Sequence, residues 1–179
     1  PGVRIGVPGT LTSAFLLLKL LLGNFRFEVL PFDGIAKAVL RGDVEAGLLI
    51  HEGQLTYQKF GLHPVVDLGK WWQADTGLPV PLGVNAVRRD LEQGLIRHVE
   101  ALVRRSIEYA LAHRTEAMAH AMRYARGTDG AVIDQFVSLY VNNRTVEMGE
   151  QGRAAVAHLL ARGYTAGVLP RAFAPEFVT

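Results

Sequence analysis

At 179 residues, with 49% hydrophobic and 20% charged side chains, the chain can bury a substantial core and is too apolar for disorder. Its formal charge of +2, with arginine pairs only at Arg88-Arg89 and Arg104-Arg105, excludes the basic stripe of a nucleic-acid binder. Cysteine is absent, which removes disulfide frameworks, thiolate metal sites and thiol nucleophiles.

Residues 3–7 alternate around Val3, Ile5 and Val7 and read as a strand, broken by Pro8-Gly9-Thr10. Thr12 and Ser13 then precede a strongly apolar helix over residues 14–22. A hydroxyl at a helix start caps it by accepting from a free backbone N–H. The same helix end also suits a carboxylate or phosphate ligand. The apolar run 15–22 is interrupted by Lys19 and stops at Gly23-Asn24, too short to span a bilayer. Residues 25–30 form a second strand, 34–40 a short helix, and 44–50 a third strand that runs into His51. This β-α-β-α-β order predicts a mainly parallel sheet with right-handed crossovers. The loops after the first and third strands then open on one sheet edge, around Thr12, Ser13 and His51. Ligands of open α/β sheets bind beyond the carboxyl ends of strands. Histidine is also the side chain best suited to move protons near neutral pH. His51 is therefore the candidate catalytic residue, and Glu52 either orients it or lies on the surface.

A short helix over 55–60, a strand over 65–68 and a helical piece over 70–73 follow, with Trp71 and Trp72 as packing residues. Pro79 and Pro81 suit an extended connection over 76–83. A strand pattern resumes over 84–87. From Asp90, read as a cap, the pattern is helical: 91–113, with Leu95, Val99, Leu102, Val103, Ile107 and Leu111 on one face, then 115–125, 129–141 and 147–161. The tail from 167 is irregular. His63, His98, His113, His120 and His158 read as ordinary surface residues. No metal site is expected: His51-Glu52 lacks a second histidine four residues on, and His113 and His120 are two turns apart.

Several segments together carry a resemblance. They are Gly6-Val7-Pro8-Gly9 with Thr12-Ser13-Ala14, Glu45-Ala46-Gly47-Leu48-Leu49-Ile50-His51-Glu52-Gly53-Gln54-Leu55-Thr56-Tyr57 and Val65-Val66-Asp67-Leu68-Gly69-Lys70-Trp71-Trp72. Thr76-Gly77-Leu78-Pro79-Val80-Pro81-Leu82-Gly83, Asn85-Ala86-Val87-Arg88-Arg89-Asp90-Leu91, Ser106-Ile107-Glu108-Tyr109-Ala110-Leu111 and Tyr140-Val141-Asn142 complete it. The chain resembles the 1,4-dihydroxy-6-naphthoate synthases of the futalosine route to menaquinone. The resemblance implies an α/β, periplasmic-binding-protein-like type II two-lobe fold used as a cytoplasmic enzyme. Its activity would be that of a carbon–carbon lyase acting on cyclic dehypoxanthine futalosine without redox cofactor or metal. It implies His51 as the proton-transfer residue and Thr12 and Ser13 as substrate contacts. The family usually has Thr-Thr there, so Ser13 departs by one methyl.

On this reading residues 1–83 are the second lobe, and 84–179 are the returning strand and helices of a first lobe whose amino-terminal part is missing. The apolar faces after Asp90 then exceed what these strands can cover, so an exposed patch or self-association is expected. Two alternatives stand beside it: chorismate dehydratase, which shares the fold and pathway, and a solute-binding protein of a transporter. The His51-Glu52-Gly53 segment favours the naphthoate synthase over the first. Ligand binding without conversion would mark the second.

Overall fold

The computed structural model describes residues 2–124 and 130–178. The chain divides into two compact units, Pro1–Leu82 with Ala154–Ala174, and Gly83–Arg153 with Pro175–Thr179.

The first unit is built on a parallel sheet of β1 (Arg4–Val7), β2 (Arg26–Val29) and β3 (Ala46–Gly47), in the order β2-β1-β3. Helix α1 (Ser13–Leu22) links β1 to β2, and α2 (Ile35–Arg41) links β2 to β3. The two crossovers run in opposite directions across the sheet, so right-handed connections put the helices on opposite faces. The side chains agree. Val7, Leu48 and half-buried Ile5 pack with Phe15 and Leu18 of α1. Gly6, pointing the other way, faces Ile35 of α2. The third strand is shorter than the expected 44–50. Only Ala46 and Gly47 pair in register, and the bonds Glu45 N to Arg4 O (3.1 Å) and Leu48 N to Gly6 O (2.8 Å) flank them. At the opposite end of the sheet the Glu45 carboxylate accepts from the Arg4 N–H at 2.7 Å, which holds its carboxyl below the usual range.

Gly47 sets how closely α2 can approach. A β-carbon there would sit 2.5 Å from Ile35 Cγ2 and 3.1 Å from Val39 Cγ2, and Ile35 is fully buried. Gly47→Ala is expected to destabilise the protein by about 1–3 kcal/mol through overpacking, read as a lower urea midpoint. Gly83→Ala, where the added carbon meets nothing within 4 Å, is the control.

Helix α3 (Gly53–Thr56), a 3-10 turn over Tyr57–Phe60, and α4 (Leu68–Thr76) follow. The strand expected over 65–68 does not form. Val65 is exposed, Asp67 accepts from Lys70 N at 3.0 Å, and that bond caps α4, which takes Leu68. A β-rich tetrapeptide without a neighbouring strand loses to an aspartate cap. Trp72 and Leu159 build a second core cluster with Leu16 and Leu17, and Trp72 is fully buried. Arg162 pairs with Asp75 and lies over both Trp71 and Trp72.

In the second unit the strand expected over 84–87 is also absent among the described residues, and Val84 is exposed. Asp90 is not a cap: its carboxylate pairs with Arg88, and α5 (Gln93–Ala112) starts after Glu92. The adjacent guanidinium outcompetes the backbone N–H groups for that carboxylate and holds it below its usual range. Helix α6 (Arg114–Ala121), a 3-10 turn over Met122–Tyr124, α7 (Gly130–Tyr140), α8 (Asn143–Val146) and α9 (Gly149–Thr165) complete the order. Ala125 and Asp129, expected at helix ends, lie outside the described residues. Arg114 joins α6 to α7 through Asp134 (2.7 Å) and Ser138 (2.8 Å). Arg104 bonds Glu100 at 3.0 Å and Glu147 at 3.2 Å. Helix α9 extends past the expected residue 161, and its residues from Ala154 onward belong to the first unit. On α5, Leu95, Val99, Leu102 and Val103 are 36–48% exposed, whereas Ile96 is buried.

Candidate functional site

Parallel pairing sends the carboxyl ends of all three strands to one edge, so three loops gather there: 8–12 after β1, 30–34 after β2 and 48–52 after β3. Thr12, Ser13 and His51 all come from these loops or the helix start that follows.

Thr12 is the amino-terminal cap of α1. Its hydroxyl accepts from Phe15 N at 3.1 Å and donates to Gly9 O at 3.3 Å. Ser13 Oγ donates to Leu82 O at 3.1 Å, fixing the helix start to the end of the proline-bearing connection. Both hydroxyls therefore have structural partners. Each oxygen also retains acceptor capacity, and the first-turn N–H groups left over by the cap remain suited to an anion. No acidic side chain sits in that first turn, while Lys19 lies in the last, so the local charge agrees with the helix dipole.

His51 follows the buried Leu48 by three residues and adopts φ 53°. It is the non-glycine residue with positive φ among the described residues. Histidine tolerates this left-handed backbone better than most side chains, but the geometry is sparsely populated and clusters at functional sites. The Phe32 ring, from the loop after β2, lies 4.7 Å from the imidazole centroid at an interplanar angle of 57°. Sequence reasoning missed Phe32, because nothing local distinguishes it from any loop aromatic; only the sheet order puts it near His51. Glu52 occupies the cap position of α3 without a side-chain cap bond, and its carbonyl accepts from Leu55 N, Thr56 N and Thr56 Oγ1 at 3.0–3.1 Å.

The other histidines are exposed: His63, His98, His113, His120 and His158. His113 stacks on Tyr109 at 3.9 Å and His158 lies 5.6 Å from Trp72. Among the described residues no group of His, Asp and Glu could hold a metal ion, and no helix is long and apolar enough to cross a membrane. A hollow lined by Arg114, Met118, Met122 and Asp134 lies within the second unit and includes none of the candidate site residues. Chemically, the sheet edge offers one imidazole able to exchange a proton, two hydroxyls, a helix amino terminus for an anion, and an aromatic wall.

A family model described as menaquinone biosynthesis matches residues 1–165. The chain is 45% identical over 177 residues to the 1,4-dihydroxy-6-naphtoate synthase of Thermus thermophilus, covering 99% of this chain and 65% of that protein. It is 38% identical over 175 residues to the enzyme of the same name from Streptomyces coelicolor, covering 94% and 62%. The chain thus spans less than two thirds of the length of these curated relatives. A crystal structure of an Archaeoglobus fulgidus protein superposes with a TM-score of 0.89 at 44% identity, over 94% of this chain and 64% of that one.

Proposed function

Since the chain belongs to the menaquinone biosynthesis family, we propose that it carries the proton-transfer part of a 1,4-dihydroxy-6-naphthoate synthase. The substrate is cyclic dehypoxanthine futalosine, the reaction a carbon–carbon lysis, and the setting the cytoplasm. The observation that carries the proposal is the position of His51, held in a left-handed conformation at the carboxyl edge of the sheet where the Thr12-Ser13 helix start also emerges.

His51 acts as general base. It takes a proton from a substrate hydroxyl, and the carbon–carbon bond then breaks in a retro-aldol sense, that oxygen becoming the carbonyl of the released fragment. A proton taken from a carbon beside a carbonyl instead serves the enolisation that completes the aromatic ring. The electron pair of the broken bond passes into the adjacent carbonyl system, and aromatisation of the naphthoate ring makes the step favourable. Positioning and one well-placed base then suffice. Thr12, Ser13 and the amino terminus of α1 hold the substrate carboxylate through hydrogen bonds and the helix dipole. On this reading the fold is periplasmic-binding-protein-like, with residues 1–83 as the second lobe and 84–179 as part of the first, Ala154–Ala174 of that part packing in the same compact unit as Pro1–Leu82.

Incubating the intact protein with cyclic dehypoxanthine futalosine tests the reading. Appearance of 1,4-dihydroxy-6-naphthoate by mass spectrometry supports it. Binding without conversion favours a solute-binding role and overturns it.

The exposed apolar side chains of α5 also offer a self-association surface for a second copy. Sedimentation equilibrium of the intact protein is expected to show a dimer that Leu95→Glu with Leu102→Glu returns to monomer. A monomer at all concentrations removes this part of the proposal.

A further inference from the structure

We propose that Phe32 is a positioning residue for His51, setting the plane of the imidazole as it takes its proton; the inference rests on the general-base reading above. Phe32 and His51 come from the loops after β2 and β3, the two strands that flank β1. Two strand spacings, about 9.6 Å, separate those strands. Ring centroids 4.7 Å apart therefore mean that the two loops approach each other well inside that spacing at the carboxyl edge of the sheet.

The mount on each side is firm. Pro31 restricts the backbone before Phe32, and Gly34 N donates to Pro31 O at 2.9 Å, closing the turn. Three residues after Phe32, the chain enters α2 through fully buried Ile35, with Ala36 and Ala38 also buried. On the other side Leu48 is bonded to Gly6 in the sheet and packed in the core. The torsion that turns an imidazole about its bond to Cβ is broad and roughly two-fold, so the backbone alone does not select which nitrogen faces a substrate. A neighbouring ring at 57° and 4.7 Å restricts that rotation, in the tilted arrangement aromatic pairs prefer. Phe32 is only half-buried and belongs to neither apolar cluster of this unit, so core packing does not account for an aromatic at this position. Its side chain can neither donate nor accept a proton, so any effect on turnover must pass through His51 or the substrate.

The test compares Phe32→Leu, Phe32→Tyr and His51→Asn in the intact protein, with turnover of cyclic dehypoxanthine futalosine and proton NMR of the His51 ring as readouts. Phe32→Leu is expected to lower kcat about tenfold while KM stays within about twofold, as a misoriented base would. Phe32→Tyr, which keeps the ring plane, should restore kcat. The Hε1 and Hδ2 resonances of His51 should move in the leucine variant, through loss of the ring current, and stay in place in the tyrosine variant. If the leucine variant melts early, Phe32→Met, which keeps volume without a ring, carries the same comparison. A normal kcat in Phe32→Leu beside an inactive His51→Asn overturns the positioning role alone. So does a loss confined to KM, a tyrosine variant no better than leucine, or a His51 ring whose resonances ignore the substitution. An active His51→Asn overturns the general-base reading and this inference with it.

Discussion

Replacing His51 with alanine in the intact protein is expected to reduce turnover of cyclic dehypoxanthine futalosine by at least about a hundredfold, the usual scale for a general base. The alanine variant alone confounds two effects. At φ 53° alanine is strained where histidine is better tolerated, so part of any loss could come from the backbone. Asparagine separates them. It accepts the left-handed conformation and carries hydrogen-bonding groups, yet it cannot take up a proton at neutral pH. His51→Asn should therefore melt close to the parent protein and still lose the hundredfold. Near-normal turnover in the asparagine variant would remove His51 from the chemistry, and a loss matched by a large fall in melting temperature would make it a folding residue.

The largest effect on stability is expected at Trp72. Its side chain is fully buried among Leu16, Leu17 and Leu159, and its indole N–H donates to Pro79 O at 3.1 Å. Truncation to alanine is expected to cost about 3–5 kcal/mol, from the lost apolar burial and the cavity that remains. The orphaned Pro79 carbonyl belongs to the connection that ends at Leu82, whose own carbonyl receives the Ser13 hydroxyl. Trp72→Phe retains most of the burial and should cost less, chiefly the hydrogen bond, on the order of 1–2 kcal/mol. Urea unfolding followed by circular dichroism reads both. An alanine variant within about 1 kcal/mol of the parent would mean the cluster collapses onto the space, against the packing described.

What was legible in the sequence was whatever depends on local pattern. The alternation of residues 3–7 and 25–30, the apolar block after Thr12 and the glycine after Arg41 gave the βαβαβ order, and parallel pairing followed from it. Thr12 as a cap, and the tryptophans as packing residues, were likewise readable from residue type and place. The failures occurred where two local solutions competed. Val65 and Val66 favour a strand, but no neighbour pairs with them among the described residues, and Asp67 starts a helix instead. Asp90 looks like a cap until Arg88, two residues away, takes its carboxylate. At the site, the sequence marked His51, Thr12 and Ser13. It gave no sign of the left-handed backbone at His51 or of the ring of Phe32 beside it, since both arise from tertiary placement.

The outer strand β2 has a consequence for how the protein behaves at high concentration. Its four residues are all exposed, and no strand among those described pairs with its free side. An open row of backbone donors and acceptors beside Phe27 and Val29 is a template on which other chains can stack. Arg26 and Glu28 flank that row on one face of the sheet, placing a charge of each sign two residues apart on a strand only four residues long. Short length and alternating charge are the means by which sheets discourage edge-to-edge growth. Arg26 and Glu28 thus act as gatekeepers, and neutralising them is expected to shift the protein toward ordered aggregates, read by thioflavin fluorescence, while the backbone at His51 stays as it is.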